Sequence, residues 1–270
     1  MKNFRLGGGV TVLLRSISLA LAFFGAMTNP GLGADLIASY PFAGSAIDGT
    51  GNGHDGTAYG CISVPDRFGV SDRAYFFDGI DDYVAVPDCP ELNPASGIVV
   101  EAWVYPTEFG GPEPDDQILM KEAQYQLNIG SDSLVSFGIG PHPWTHAYSI
   151  NKIPLNQWTH IRGEYSFATG ILNFFINGIL EGTAVRPLAG WTNQGILFVG
   201  KNPKASTGYY FTGQIDDVHI LEPCATCLDR MSDLNCDGIA DVFDVIASIE
   251  HVFSGAQIVP CCDKGELCPQ

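Results

Sequence analysis

The sequence predicts an all-β protein, an antiparallel β-sandwich followed by a small C-terminal unit of different character. Between residues 36 and 221, short runs rich in β-branched and aromatic residues are separated by Gly, Pro, Asn and Asp. Many of these runs alternate apolar and polar residues with a period of two, which is typical of strands with one buried face. No stretch of this region has a convincing 3.6-residue period. Many short strands with no helices between them favour two packed sheets.

Six runs carry the strand pattern most clearly, and a seventh segment predicts a hairpin. In ILNFFINGILEG, Asn177 and Gly178 stand between two apolar runs, and a two-residue turn needs positive φ at both central positions. Trp103 and Trp158 fall within strand patterns and are predicted to be core residues. The six runs are 83–87 (YVAVP), 97–106 (GIVVEAWVYP), 125–130 (YQLNIG), 134–140 (LVSFGIG), 158–167 (WTHIRGEYSF) and 195–201 (GILFVGK).

The net charge restricts the classes of partner. The chain has 270 residues, with 13 Lys+Arg against 30 Asp+Glu and a formal net charge of −17. Nucleic acid is disfavoured, because its phosphates need a basic surface. Calcium is favoured, because it takes oxygen ligands. Solubility alone also explains such a charge, so the charge does not define a site.

Residues 1–34 have the composition of a secretory signal peptide. Basic residues precede an apolar run at 16–27, and small residues follow in GLGAD. This order predicts cleavage after Gly33 or Ala34, with a retained anchor as the alternative. No second apolar stretch approaches spanning length, so no membrane span is expected after cleavage. The predicted location is secreted or at the cell surface.

Eight cysteines divide unequally along the chain, and an even number in an exported protein favours disulfides. Cys61 and Cys89 are the only two in the large domain and are open to pairing with each other. A redox or zinc motif in CATC, 224–227, is the alternative, although it lacks a βαβ context and a second matching pair. The disulfide candidates are Cys61, Cys89, Cys224, Cys227, Cys236, Cys261, Cys262 and Cys268.

Residues 233–244, DLNCDGIADVFD, have the spacing of a calcium-binding loop of twelve residues. Gly238 occupies position six, where the chain must turn sharply, and oxygen ligands occupy the alternate positions around it. Apolar residues then recur at helical spacing from 242 to 253, which predicts one amphipathic helix. The predicted calcium ligands are Asp233, Asn235, Asp237, Ile239 through its backbone carbonyl, Asp241 and Asp244.

This loop and helix resemble a single dockerin type I repeat, which has Asp at position twelve and no helix before the loop. Dockerins that bind cohesins carry two such repeats, and the segment CCDKGELC does not supply the second. The resemblance therefore implies calcium binding, with two alternatives for the unit, a cohesin-like partner or a structural cap. The expected domains are 1–34, 35–222 and 223–270.

The large domain resembles the laminin-G-like, concanavalin A-like domains of bacterial exported proteins. The segments that carry the resemblance follow that family's order: 36–60, 72–87, 99–106, 157–165, 172–182 and 211–221. The resemblance implies a two-sheet jelly roll. It also implies a structural calcium at one edge, held by Asp216 of the last strand with Asp48 and the GNGHD loop, which offers Asn52 and His54. The alternative is that these are ordinary turn and edge residues.

Catalysis is not expected. Glycoside hydrolases of this fold place E-x-D-x-x-E on one strand, and the sequence has no such run. Glu101 stands alone among apolar neighbours, and 111–117 (GPEPDDQ) has the composition of a solvated loop. His142 and His146 are interpreted as scattered surface histidines, since Pro141 and Pro143 disfavour a helix that would present them together.

The aromatic residues of Gly- and Pro-rich loops are the candidates for a sugar-binding face, because a flat apolar ring suits a pyranose. The alternative is that they cover the ends of the sandwich. The predicted function is non-catalytic recognition of an extracellular glycan or protein. A glycoside hydrolase or accessory module in polysaccharide degradation, and a purely structural surface protein, are the alternatives. The candidates are Trp144, Tyr148, Trp191, Tyr209 and Tyr210.

Overall fold

The computed structural model describes residues 34–110, 115–187, 195–203 and 209–223. Several predicted features lie outside these ranges. They are the signal segment up to residue 33, Trp191, the calcium loop 233–244 with its helix, and the six cysteines after residue 223. Among the described residues, no helix is long and apolar enough to cross a membrane.

The described residues form fifteen strands and one short 3₁₀ helix, which confirms the all-β fold class. The strands are β1 Ala34–Tyr40, β2 Thr57–Tyr59, β3 Ile62–Val64, β4 Ala74–Asp78, β5 Tyr83–Val86, β6 Gly97–Pro106, β7 Asp115–Lys121, β8 Tyr125–Gly130, β9 Val135–Ile139, β10 Thr145–Tyr148, β11 Thr159–Ser166, β12 Ile171–Ile176, β13 Ile179–Val185, β14 Leu197–Val199 and β15 Thr212–Pro223. The 3₁₀ helix η1 spans Pro90–Leu92.

Two antiparallel sheets make up the sandwich. The eight-stranded sheet has the order β13-β12-β11-β6-β15-β4-β3, and β1 pairs with β15 beside this path. The seven-stranded sheet has the order β10-β9-β8-β7-β14-β5-β2. The strands β7 to β10 follow one another within the seven-stranded sheet, and β11 to β13 do so within the eight-stranded sheet. Other neighbours are far apart in sequence, for example β6 beside β15.

Local sequence patterns explain why these residues form these strands. All six predicted runs coincide with strands, namely β5, β6, β8, β9, β11 and β14. The predicted hairpin joins β12 to β13, and its turn residues have positive φ, 49° at Asn177 and 78° at Gly178. Period-two alternation sends one set of side chains inward and the other outward. The two faces of each sheet therefore carry different chemistry.

The core between the sheets is filled by large side chains from both layers. Fully buried rings include Tyr40, Phe77 and Phe137. Gly163 of β11 permits a close approach of the layers, because a Cβ there would lie 2.2 Å from Cγ of Phe137. The prediction of Trp103 as a core residue is wrong: it is half-buried, outside the core cluster, with the Arg67 guanidinium carbon 4.7 Å from its ring centre.

Trp158 is also half-buried and outside the core cluster, so its prediction as a core residue is wrong too. It precedes β11, and its ring lies 5.5 Å from the ring of Tyr105 on the neighbouring strand. Both tryptophans cover the outside of the eight-stranded sheet, because the strand pattern does not say which of the two alternating faces is the inner one.

Candidate functional site

A depression of about 280 Å³ lies on the outer face of the seven-stranded sheet, over strands β7 to β10. The alternation of these strands builds it directly. On β8, Tyr125, Leu127 and Ile129 belong to the core, so the side chains between them point outward. The residues that line the depression are Asp115, Gln126, Asn128, Gly130, Ser131, Asp132, Leu134, Ser136, His146 and Tyr148.

A row of aromatic rings follows β10, and two of its members, His146 and Tyr148, line one side of the depression. Trp144 immediately precedes the strand, and its ring centre lies 6.1 Å from that of His146. The ring centres of His146 and Tyr148 are 5.5 Å apart. Tyr148 is 59% exposed, whereas Trp144 is half-buried. The Tyr148 end of the row therefore offers ring surface to a ligand, and packing holds the Trp144 end in place.

Amide and hydroxyl groups form the floor of the depression. The Gln126 amide donates to Nε2 of His146 at 2.8 Å, so that ring nitrogen accepts and carries no proton. Burial lowers the pKa of His146, which keeps the ring neutral and this hydrogen bond intact. The Ser136 hydroxyl donates to Oδ1 of Asn128 at 2.8 Å. Asn128 Nδ2 has no protein partner among the described residues, so it can donate to a ligand.

Two carboxylates stand at the rim. Asp115 and Asp132 both flank Gly130, where a Cβ would lie 3.7 Å and 2.7 Å from their respective Oδ1 atoms. Burial, and then the charge of Asp132, raise the pKa of Asp115. A larger residue than glycine at position 130 would fill the space between the two carboxyl groups. The pair is therefore open to a ligand that lies across the depression.

The structure assembles part of the predicted aromatic set. Tyr148 lines the depression, and Trp144 does not line it but stands next to His146, which does. Tyr209 and Tyr210 do not line it; Tyr210 forms an isolated bridge with Lys201, whose Nζ lies 5.6 Å from the Tyr210 ring centre. Trp191 lies outside the described residues.

Sequence reasoning missed the polar floor and interpreted His146 wrongly. His146 is not a scattered surface histidine, because its ring stands between Trp144 and Tyr148 and accepts a hydrogen bond from Gln126. The available signal was the alternation in YQLNIG, which places Gln126 and Asn128 on the face opposite the core. The sequence did not show that this face forms a depression.

The predicted calcium ligand Asp48 is buried, and donors of the protein surround its carboxylate. Oδ1 accepts from the backbone N–H of Ser39 at 3.1 Å and of Thr50 at 3.0 Å. Oδ2 accepts from the Thr50 hydroxyl at 2.7 Å and the His54 N–H at 3.3 Å. Although burial acts the other way, these hydrogen bonds lower the pKa of Asp48. A calcium ion at Asp48 would have to displace some of them.

Asp216, the ligand expected from the last strand, faces a cation of the protein itself. Its Oδ2 lies 2.8 Å from Arg67 NH1, and Arg67 also pairs with Asp217 at 2.7 Å. Burial and the charge of Asp217 raise the pKa of Asp216 to about 6, although Arg67 opposes this. Asn52 donates to the carbonyl of Ile37 at 2.8 Å. Calcium at the predicted set stays a prediction.

The two cysteines of the sandwich are not joined. Cys61 and Cys89 both carry free thiols among the described residues. Cys89 lies beside the predicted ligand His54, with Sγ 3.0 Å from Nδ1. Cys61 contacts the carbonyl of Tyr59 at 3.4 Å. The two thiols therefore have separate surroundings, and the pairing that the sequence left open does not form.

The sequence suggested that Glu101 stands alone among apolar neighbours. In the structure it does not, because neighbouring strands supply its partners. Arg162 NH1 donates to its Oε2 at 2.8 Å, and His219 Nδ1 lies 3.0 Å from its Oε1. Against the effect of burial, His160, His219 and Arg162 hold the pKa of Glu101 well below its usual range. Glu101 is thus a fixed anion within a network.

Comparison with protein families gives one match. A family model described as the concanavalin A-like lectin/glucanases superfamily, Laminin_G_3, matches residues 78–226, just over half of the chain. The match begins at the end of β4 and runs past the end of β15, so it includes every strand under the depression. A search of curated proteins finds no significant match.

Solved structures support the same architecture. Domain 4 of AbnA, a GH43 extracellular arabinanase from Geobacillus stearothermophilus solved with arabinotriose, aligns with a TM-score of 0.57 and 24% identity, over 70% of this chain and 93% of that domain. A botulinum neurotoxin type C structure, whose description states that cell entry depends on two ganglioside molecules, aligns with a TM-score of 0.55 and 14% identity. That alignment covers 80% of this chain and 51% of the toxin chain, so this chain spans about half of its length. At these identities the likeness concerns the fold.

Proposed function

Because this chain belongs to the concanavalin A-like lectin/glucanases superfamily, we propose that it recognises extracellular carbohydrate through the depression over β7 to β10. The observation that carries the proposal is the pairing of an exposed aromatic row with amide groups on one open sheet face. Tyr148 offers ring surface, and Asn128 Nδ2 offers a donor without a protein partner in the described part of the chain.

Sugar rings need this combination. The C–H groups of a pyranose or furanose face pack on an aromatic ring, while hydroxyl groups pair with fixed donors and acceptors. Here Gln126 is oriented by His146, and Ser136 orients Asn128. Groups that are held before binding lose little conformational entropy when a ligand arrives. The depression, at about 280 Å³, is near the lower end of ordinary ligand sites of about 300–1,000 Å³, which suits a short glycan segment.

Two similar structures support the choice of ligand class. The arabinanase domain was solved with arabinotriose, and the neurotoxin is described by its interaction with gangliosides. Both ligands are glycans or carry them.

The proposal is tested by a glycan array followed by calorimetry on the best ligand. We expect Tyr148→Ala and Asn128→Ala each to weaken binding about tenfold, which corresponds to about 1.4 kcal/mol. Phe68→Ala is the matched control, because Phe68 is 75% exposed but does not line the depression. A chain that binds no glycan, or variants that bind as tightly as the parent, would contradict the proposal.

A hydrolase is the second candidate, and the carboxylate pair at the rim favours it. A raised pKa on Asp115 beside the carboxylate Asp132 is the arrangement that glycosidases use for an acid and its partner. Release of reducing sugar from a bound glycan, lost in Asp115→Asn with binding retained, would support this candidate. Binding with no release from any ligand of the array would support recognition alone.

We further propose, from the sequence, that the protein is exported and that 233–244 binds calcium, with a cohesin-like partner as one use of that unit. Calcium calorimetry on the oxidised chain and on the Asp233→Ala/Asp237→Ala double variant tests this. Loss of one class of site in the double variant is the expected result. No binding at millimolar calcium would remove calcium from the proposed function.

A further inference from the structure

A second cluster of ligand-forming side chains lies away from the depression, where the loop after β1 meets η1. His54 comes from that loop, Cys89 is the residue before η1, and Glu91 lies within it. Their ligand atoms, one from each side chain, all lie within 4.8 Å of one another. Nδ1 of His54 and Sγ of Cys89 are 3.0 Å apart.

Two buried tyrosines hold the backbone on both sides of this cluster. The hydroxyl of Tyr40 donates to the carbonyl of His54 at 2.8 Å, and the hydroxyl of Tyr125 donates to the carbonyl of Leu92 at 3.1 Å. Both tyrosines are fully buried, and they come from the two different sheets. The cluster therefore rests on the core of the sandwich, and its ligands are positioned before any ion binds.

The imidazole of His54 is buried at a cost that the protein does not offset. Only 7% of His54 is exposed, and its Nε2 is buried with no hydrogen-bond partner among the described residues. The other ring nitrogen contacts only a thiol, which is a weak hydrogen-bonding group. Burying a polar group without good partners is unfavourable. A bond from Nδ1 to a metal ion would replace this weak contact with a strong one, while Nε2 would keep the ring proton.

The ligand set identifies the class of ion. A thiolate, an imidazole and a carboxylate suit zinc and similar divalent transition metals, whereas calcium takes oxygen ligands only. In a tetrahedral zinc site, bonds of about 2.3 Å to sulfur and about 2.0 Å to nitrogen place those two atoms about 3.5 Å apart. The present 3.0 Å contact needs a movement of only about half an ångström.

We propose that His54, Cys89 and Glu91 form a binding site for a divalent transition metal ion, with zinc as the best match. The site has three protein ligands and leaves a fourth position to water. When bound, the ion joins the loop after β1 to η1, two segments that are over thirty residues apart in sequence. This inference is independent of the glycan proposal, because no ligand of the ion lines the depression.

The test uses cobalt as a spectroscopic probe in place of zinc. The full chain is first saturated with calcium, which fills oxygen-only sites, and cobalt is then added. We expect an absorption band from thiolate-to-cobalt charge transfer that is lost in Cys89→Ser and kept in Cys61→Ser. Cys61 is the matched control, since it is the other free thiol of the sandwich and does not belong to the cluster. Cysteines after residue 223 are common to both variants.

Zinc calorimetry extends the test to the other ligands. Glu91→Gln changes an exposed side chain, so the variant should fold even if Cys89→Ser does not. We expect its zinc affinity to fall at least about tenfold, since even changes to groups behind the ligands cost about 10- to 100-fold. The proposal is overturned by a cobalt band that persists in Cys89→Ser, by an unchanged zinc affinity in Glu91→Gln, or by peptide mapping that finds Cys89 in a disulfide.

Discussion

The outer faces of the two sheets differ in how their polar groups are satisfied. On the eight-stranded sheet, Glu101 is paired with Arg162, which also holds Glu164 at 2.7 Å, and Arg67 bridges Asp216 and Asp217. On the seven-stranded sheet, the depression keeps the exposed ring of Tyr148 and an amide donor, Asn128 Nδ2, that has no partner in the part of the chain that the structure describes. The first face uses its charged groups in pairs within the protein. The second keeps groups available for a ligand, so the two faces should respond differently to mutation.

The largest expected effect is on the paired face. Arg162→Ala would leave Glu101 and Glu164 largely buried without their shared cation, and their side chains are only 17% and 8% exposed. Removing one partner of such a buried pair costs up to about 3–5 kcal/mol, and we expect about 3 kcal/mol here. Denaturant unfolding measures this loss.

The control for that experiment is Arg73→Ala, because Arg73 is exposed and makes no ion pair among the described residues. We expect its free energy of unfolding to change by no more than about 0.5 kcal/mol. Glycan affinity should be the same in both variants and in the parent. A loss of glycan affinity in Arg162→Ala at a temperature where the variant is folded would show that the two faces are not separate.

A smaller effect, which depends on pH, is expected at Asp216. Its pKa in the folded state, about 6, lies above the ordinary value of 3.8 for an aspartate. The stabilising contribution of the protonated group is therefore present below pH 3.8 and is lost as the pH rises through about 6. Asp216→Asn should gain stability relative to the parent between pH 4 and 7, by about 2–3 kcal/mol at most.

Unfolding curves at several pH values, with and without millimolar calcium, check this prediction. Asp72→Asn, at an exposed position, is the control for the loss of one negative charge. If calcium stabilises the parent but not Asp216→Asn, the calcium site that the sequence predicts gains support. A constant difference between the parent and Asp216→Asn from pH 4 to 7 would contradict the raised pKa.

The sequence predicted the strands well because local chemistry determines them. Alternation in 125–130 and the Asn177–Gly178 turn need no information from the rest of the chain. The partners of Glu101 could not be found this way, because Arg162 and His219 reach it from β11 and β15 through strand pairing. The same limit applies to the site. Trp144 and Tyr148 were identified by composition, whereas Gln126 and His146 meet only because β8 and β10 lie on either side of β9.

The smallest expected effect comes from changing one glycine to alanine, on the outer face of the sandwich in one variant and on the inner face in another. Gly138 of β9 lies on the outer face, where a Cβ would come within 2.5 Å of Cδ2 and 2.6 Å of Nε2 of His146. Gly138→Ala should displace that ring and break its hydrogen bond with Gln126. We expect glycan affinity to fall about three- to tenfold, or about 0.7–1.4 kcal/mol. The free energy of unfolding should change less, since an imidazole that borders the open depression can move.

Gly163→Ala places the same methyl group on the inner face, against Phe137, which is fully buried and cannot move in the same way. Overpacking of this kind costs about 1–3 kcal/mol of stability. Its glycan affinity, measured by calorimetry below the unfolding transition, should match the parent. Gly138→Ala should thus mainly lower glycan affinity, whereas Gly163→Ala should mainly lower stability. If Gly138→Ala leaves glycan affinity unchanged, the position of His146 does not matter for binding, and the aromatic row reduces to Trp144 and Tyr148.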